Sequence, residues 1–301
     1  MGPGLVVPRL AALGAVVLWG VSFVATKAAL SEASPLTVVF TRFALGTVVL
    51  ALILRVRGIP LVPPRDAWPA LALMGFVGIF VHQLLQVHGL ALTTAVRTGW
   101  LIGLIPIWSA VLSAVMLREK FGGQKILGLA AGTVGAVLVV TKGELGWDVL
   151  ALPATRGDLL ILASTVNWAV YTVLGHGTLK RLGSARATAA SMLLGWLMLA
   201  PLFVRTSGWR ELPELSAVGV GCILFLGIGC SGLGYLFWYA ALERLEASRV
   251  AAFLYVEPVV TLVTAVALLG EPVSWTTIAG GVLVLCGVWI VQRAPAAPGT
   301  S

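Results

Sequence analysis

The chain alternates long apolar runs with short polar connections. The hydrocarbon core of a bilayer takes roughly 20 apolar residues per helix. Ten runs near that length fit the sequence: 9–30, 35–56, 67–91, 95–117, 123–141, 158–180, 186–205, 214–241, 248–270 and 273–292. The longest connection, Lys142 to Gly157, holds Gly143, Gly146 and Pro153 and divides the runs five and five. One stretch recurs: AVRTGWLIGLIPIWSAVLSAVMLRE, Ala95 to Glu119, returns in altered form as ASRVAAFLYVEPVVTLVTAVALLGE, Ala247 to Glu271, 152 positions later. Arg97 falls on Arg249, Pro106 on Pro258, Leu117 on Leu269 and Glu119 on Glu271, and the register continues with Gly128 on Gly280 and Gly135 on Gly287. A unit of five spans crosses the membrane an odd number of times, so its second copy runs in the opposite sense. The pattern predicts an all-α integral membrane fold of ten transmembrane helices in two inverted five-helix repeats. The repeats cover 8–141 and 158–292, with 142–157 as the connecting loop. The small, Pro-rich tail, 293–301, is expected to be disordered.

Composition sharpens this reading. Of 301 residues, 59% are hydrophobic and 11% charged, against about 25% charged in an ordinary soluble domain; mean hydropathy is +1.00. A net charge of +8 would suit nucleic acid. The basic residues, however, stand singly or in pairs between apolar runs, a pattern that orients helices in a bilayer. No nucleic-acid partner is expected. With the N-terminus cytoplasmic, thirteen Lys and Arg fall on the inner side and six, Lys27 and Arg97 among them, on the outer, with Arg42 inside a span. The excess predicts an inner-membrane protein with both termini cytoplasmic. Cys222, Cys230 and Cys286 lie in apolar runs without a CxxC pair, so no disulfide, metal site or cofactor is expected. Arg9 before an apolar run resembles a signal peptide, but Leu10 to Leu30 is too long for one and is read as the first span.

Charges at mid-membrane depth are costly and mark candidate function. Glu257 sits near the centre of the ninth run and Arg42 inside the second. A carboxylate there can bind an amine or carry a proton. A guanidinium can hold a carboxylate or phosphate through two parallel hydrogen bonds. The plain alternative is a structural ion pair. Lys27, at the end of the first span, reads as a residue snorkelling to the interface. His82 and Gln86 are four apart and share a helix face; Gln83 and His88 read better as helix-to-helix hydrogen bonds. Trp19 and Trp168 occupy matching places in the first span of each half and, with Tyr171, can wall a cavity. The expected substrate-binding set is Trp19, Arg42, His82, Gln86, Trp168, Tyr171 and Glu257. Pro106 and Pro258 fall mid-span, where a missing N–H bends a helix, and are expected as hinges or static kinks. The glycines of spans five and ten suit close helix packing. There is no GxxxxGK[ST], no HExxH and no nucleophile with a clear base, so an ATP-driven pump or an enzyme is not expected.

LWGVSFVATKAAL, TRFALG, AVRTGW, IPIWSAVLSAVMLRE and GLAAGTVGAVLVV, echoed by YVEPVVTLVTAVALLGE and GGVLVLCGVWIV, resemble the EamA-type repeat of the drug/metabolite transporter superfamily. The resemblance spans about 8–141 and 157–292. It implies a ten-helix basket, a central cavity and alternating access for small metabolites such as amino acids, often exported. Expected partners are a small-molecule substrate, with proton coupling at Glu257 as one option, the lipid bilayer, and a further copy of the chain. Uptake is the rival within transport; a membrane-embedded enzyme or a scaffold is the rival outside it.

Overall fold

The computed structural model describes residues 6–105, 107–108, 111–112, 123–141, 153–242 and 252–293. Among these residues there is no strand. Helix α1 covers Val6–Ala29 and α2 covers Pro35–Val56. Helix α3 runs from Trp68–Gly75 through a π-helical segment, Phe76–Val81, into His82–Leu92. Then come α4 (Ala95–Ile102), α5 (Gly123–Thr141), α6 (Pro153–Leu182) and α7 (Ser184–Arg205). Helix α8 repeats the form of α3, with Ala217–Leu224, a π-helical Phe225–Gly234 and Tyr235–Leu242. A 3-10 turn, Ala252–Tyr255, leads into α9 (Val256–Leu269), and α10 covers Trp275–Arg293. Among the described residues five helices are long and apolar enough to cross a membrane, and shorter apolar helices accompany them. The chain is a multi-pass membrane protein.

Local signals set the ends. Ser34 caps α2 ahead of Pro35, Thr94 accepts from the Arg97 N–H at the start of α4, and Ser216 accepts from Val218 and Gly219 at the start of α8. Such caps fill donors that a helix start leaves open. Gly58, Gly183 and Gly270 have positive φ just past the ends of α2, α6 and α9, a backbone state that only glycine adopts freely. Helix α6 begins at Pro153, inside the stretch expected as a connection. Pro258 is the third residue of α9, not the middle of an unbroken helix. At that place its missing N–H costs nothing, because a first-turn donor has no intrahelical partner. Pro106, residues 113–122 and the tail beyond Arg293 lie outside the described residues.

Helix α1 packs on α8 and α9; α6 packs on α3 and α4. Helix α2 packs on α7 and α8, and α3 on α7. Helices α5 and α10 form the most extensive pair among the described residues, held at backbone distance: a Cβ on Gly280 would stand 2.7 Å from the Gly135 carbonyl oxygen. Bulk cannot enter there without moving main chain. The turns are tied across the fold as well. Glu32, after α1, accepts from the backbone N–H and the hydroxyl of Ser216 at 2.7 and 2.8 Å. Glu211, ahead of α8, accepts from the Ser34 N–H at 2.7 Å.

Two predictions follow from this packing. Gly280→Leu is expected to cost about 1–3 kcal/mol by overpacking, read as a lower thermal midpoint in detergent; an unchanged midpoint refutes the close contact. The Ser216 hydrogen bonds hold the Glu32 carboxyl below its ordinary range. A depressed folded value stabilises above the unfolded value and is lost as pH falls. The midpoint gap between wild type and Glu32→Gln is therefore expected to narrow as pH falls from neutral through about 4.3, the ordinary glutamate value. A gap that is constant over that window contradicts this role for the bond.

Candidate functional site

A cavity lies where α1, α2, α3, α6, α8 and α9 converge, with an empty volume of about 830 Å³ counting its open mouth. Its position starts from one close approach. On α1, Gly20 leaves no room for a side chain: a Cβ would stand 2.8 Å from Val260 and 3.0 Å from the Glu257 carbonyl. The Thr261 hydroxyl bridges the pair, donating to the carbonyls of Gly20 (3.0 Å) and Glu257 (2.9 Å). Trp19, Ser22 and Phe23 of α1 thereby face Glu257 and Pro258 of α9 across the cavity.

The helices that contain the two π-helical segments supply further walls. A π segment widens the helix and frees backbone carbonyls, and such segments concentrate at functional sites. In α3 the carbonyl of Val77, which also takes the His82 N–H, accepts from Asn167 Nδ2 of α6 at 2.7 Å. In α8 the carbonyl of Cys230 accepts from Trp19 Nε1 of α1 at 3.2 Å. The residues that follow are turned to the cavity: His82, Gln83 and Gln86 from α3, Tyr235 from α8. The Trp19 ring meets Tyr235 edge-on at 5.5 Å and Trp238 at 5.2 Å. His82 lies 4.8 Å from the Trp168 ring. Its Nδ1 is 3.1 Å from the Ser164 carbonyl, and Gln86 Nε2 is 3.5 Å from its Nε2. A carbonyl can only accept, so Nδ1 carries the proton and Nε2 is the acceptor facing Gln86.

The charged members are Arg42 and Glu257, both buried. Arg42 Nε donates to the Ser231 hydroxyl at 2.9 Å, within the second π segment. No ion-pair partner of either group is found among the described residues. Six of the seven expected binding residues, Trp19, Arg42, His82, Gln86, Trp168 and Glu257, thus line one cavity. Tyr171 does not. It packs behind Trp168 with ring centroids 5.2 Å apart, and its hydroxyl bonds Ser191. Pro258 lines the cavity, and Pro106 lies outside the described residues. Gln83, read from sequence as a helix-to-helix contact, also lines the cavity, whereas His88 bonds the Leu84 carbonyl of its own helix. Tyr235, one of the in-span aromatics that could wall a site but outside the expected binding set, lines the cavity, and sequence does not mark Ser22 or Ser231. A serine in an apolar run carries no mark of which face it takes.

The model of the EamA-like transporter family matches residues 8–141 and again 155–293. The chain belongs to that family. An uncharacterized transporter of Archaeoglobus fulgidus is 32% identical, covering 92% of this chain and 96% of the relative. The uncharacterized transporter YyaM of Bacillus subtilis is 30% identical, covering 92% and 90%. A probable terminal-alkyne amino-acid exporter of Streptantibioticus cattleyicolor is 28% identical over 92% of this chain and 91% of that one. A solved crystal structure shares the fold with a TM-score of 0.67 at 21% identity, over 95% of this chain and 98% of the other. The protein is a membrane transporter.

In this EamA-like transporter Lys27, Arg97, Asp158 and Glu271 serve the scaffold. Lys27 does not snorkel to the interface. Its Nζ donates to the carbonyls of Leu90 (2.9 Å) and Thr93 (2.6 Å), closing the C-terminal end of α3. Arg97 is not a loop charge: it is buried on α4, ion-paired to Asp158 of α6 and bonded to the Val140 carbonyl of α5. Asp158 also accepts from the Thr93 hydroxyl. The Glu271 carboxylate accepts from the N–H groups of Ala95 (2.8 Å) and Val96 (2.9 Å), capping α4. Asp158 and Glu271 were missed as partners because sequence shows their charge without the helix that each meets. Removing one member of a buried pair strands the other. Asp158→Asn is expected to cost about 3–5 kcal/mol. The double change Arg97→Met/Asp158→Leu is expected to recover much of the thermal midpoint; a double variant no better than the single one rejects the pairing.

Proposed function

We propose that the chain is a secondary transporter that exports small zwitterionic metabolites, amino acids among them, by alternating access around this cavity. The reading is carried by Arg42 and Glu257, opposite charges on one cavity with no ion-pair partner among the described residues. Charge kept at membrane depth without such a partner is matched to something that arrives. The guanidinium suits a substrate carboxylate and the Glu257 carboxylate suits an ammonium. Trp19, Trp168 and Tyr235 add ring faces for a cation or an apolar side chain. When substrate leaves, a proton can take the place of the ammonium on Glu257, which exchanges one for the other. Export follows a relative whose name states a direction and a substrate class.

The architecture proposed is ten spans in two inverted five-helix halves. Its support is an exchange symmetry of contacts: α1 on α8 answers α6 on α3, α1 on α9 answers α6 on α4, and α2 on α8 answers α7 on α3. Helices α2 with α7 and α5 with α10 are self-matching pairs, and the π segments occupy equivalent helices. The basic residues support an inner-membrane location with both termini cytoplasmic.

The test is flux in proteoliposomes with a panel of amino acids and the matching amines that lack a carboxylate. Glu257→Gln is expected to abolish pH-dependent exchange with the thermal midpoint retained. Arg42→Lys is expected to raise KM for amino acids and leave that for amines unchanged, because it removes the two-pronged contact alone. Wild-type exchange in Glu257→Gln, or equal loss for both substrate sets in Arg42→Lys, would sink the proposal.

A further inference from the structure

Away from the transport cavity, a second hollow opens between α2, α7 and the connection into α3, with an empty volume of about 600 Å³ counting its mouth. It shares no lining residue with the first. The walls are apolar and slot-like: Ala51 and Leu54 from α2, Ala189 and Leu193 from α7, Val62 and Trp68 from the connection and the start of α3. Thr47, Ala51 and Leu54 follow at i, i+4 and i+7, so one face of α2 forms one wall. Thr47 and Leu54, the first and last wall residues of α2, are seven residues apart, about 10 Å of helix. That is a large part of the roughly 15 Å that one leaflet contributes to the hydrocarbon core.

The segments that meet at the Val62 end of the slot carry five arginines. Arg55 and Arg57 end α2, and Arg65 stands beside the connection; all three are exposed. Arg181 and Arg186 flank the junction of α6 and α7. Arg186 donates to the carbonyl of Val62, a wall residue, and its Nε has no partner among the described residues. Asp66, held at 2.7 Å by Arg181, is the single acid in the stretches 54–68 and 180–193. An apolar slot about 10 Å long with arginines gathered at one end is complementary to a molecule with one long chain and an anionic head. A phosphatidylcholine matches the slot but brings a choline cation to the rim.

We propose that this slot holds an anionic phospholipid of the surrounding leaflet, phosphate on the arginine rim and one acyl chain between α2 and α7. The lipid joins the two helices at an end where only the connection covers them. The proposal does not depend on what the transport cavity carries.

The test uses the full chain purified in detergent, with bound lipid read by native mass spectrometry. Phosphatidylglycerol is expected to remain bound where phosphatidylcholine of the same chains is lost, and glycerol 3-phosphate is not expected to displace it. Arg55→Gln/Arg57→Gln, which changes two exposed rim residues, is expected to weaken retention by at least about tenfold. Ala51→Phe fills the slot and is expected to abolish retention with every arginine in place. Equal retention of the two lipids, or displacement by glycerol 3-phosphate, overturns the proposal. So does wild-type retention in Ala51→Phe. Should Ala51→Phe fail to fold, the arginine pair decides alone: wild-type retention there refutes the site.

Discussion

Inside hydrocarbon no water stands ready to satisfy a polar group, and this structure is ordered by that single constraint. Lys27 is spent on the carbonyls that end α3, and Glu271 on the N–H groups that begin α4. Arg97 and Asp158 neutralise each other where α4 meets α6. Asn167 and Trp19 donate to carbonyls within the π segments. Each of these groups has an assigned partner on another helix, so each also fixes how two helices stand. Against that background Arg42 and Glu257 differ. They are buried like Arg97 and Asp158, yet they face a hollow and each other's sign rather than a structural counter-ion.

The π segments explain why the cavity is where it is. A regular helix of the length of α3 would keep one face toward its neighbours throughout. The extra width at Phe76–Val81 shifts the register, so His82, Gln83 and Gln86 are presented to the centre while Leu71 and Met74, earlier in the same helix, stay in the core. In α8 the same shift sets Ser231 under Arg42 and Tyr235 against Trp19. The partners that hold the two segments come from neighbouring positions in equivalent helices: Asn167 lies beside Trp168, and Trp168 answers Trp19.

Much of this was legible in the residues. Run length gave the helical membrane fold, and buried charge together with paired tryptophans pointed to residues that meet in one cavity. What failed did so for physical reasons. Lys27 and Arg97 were assigned to interfaces because a charge near the end of a span can reach water; instead each finds a closer partner in protein. Pro258 was read as a mid-helix break, although the α-helix starts two residues before it. Tyr171 has the right chemistry, but the helical turn sets it one layer behind Trp168. The π segments leave no compositional trace, since they are made of the same apolar residues as the turns on either side.

The seam between α5 and α10 differs in kind from the other contacts. Gly135 and Gly280 bring main chain against main chain, and Gly287 does the same over Gly128. Side chains interleaved between helices can change rotamer and let one slide past the other. Bare backbones offer no such slack. The two segments matched by the family are therefore riveted along this line, and any rearrangement that alters the far side of the molecule has to pivot on it as a door does on its post.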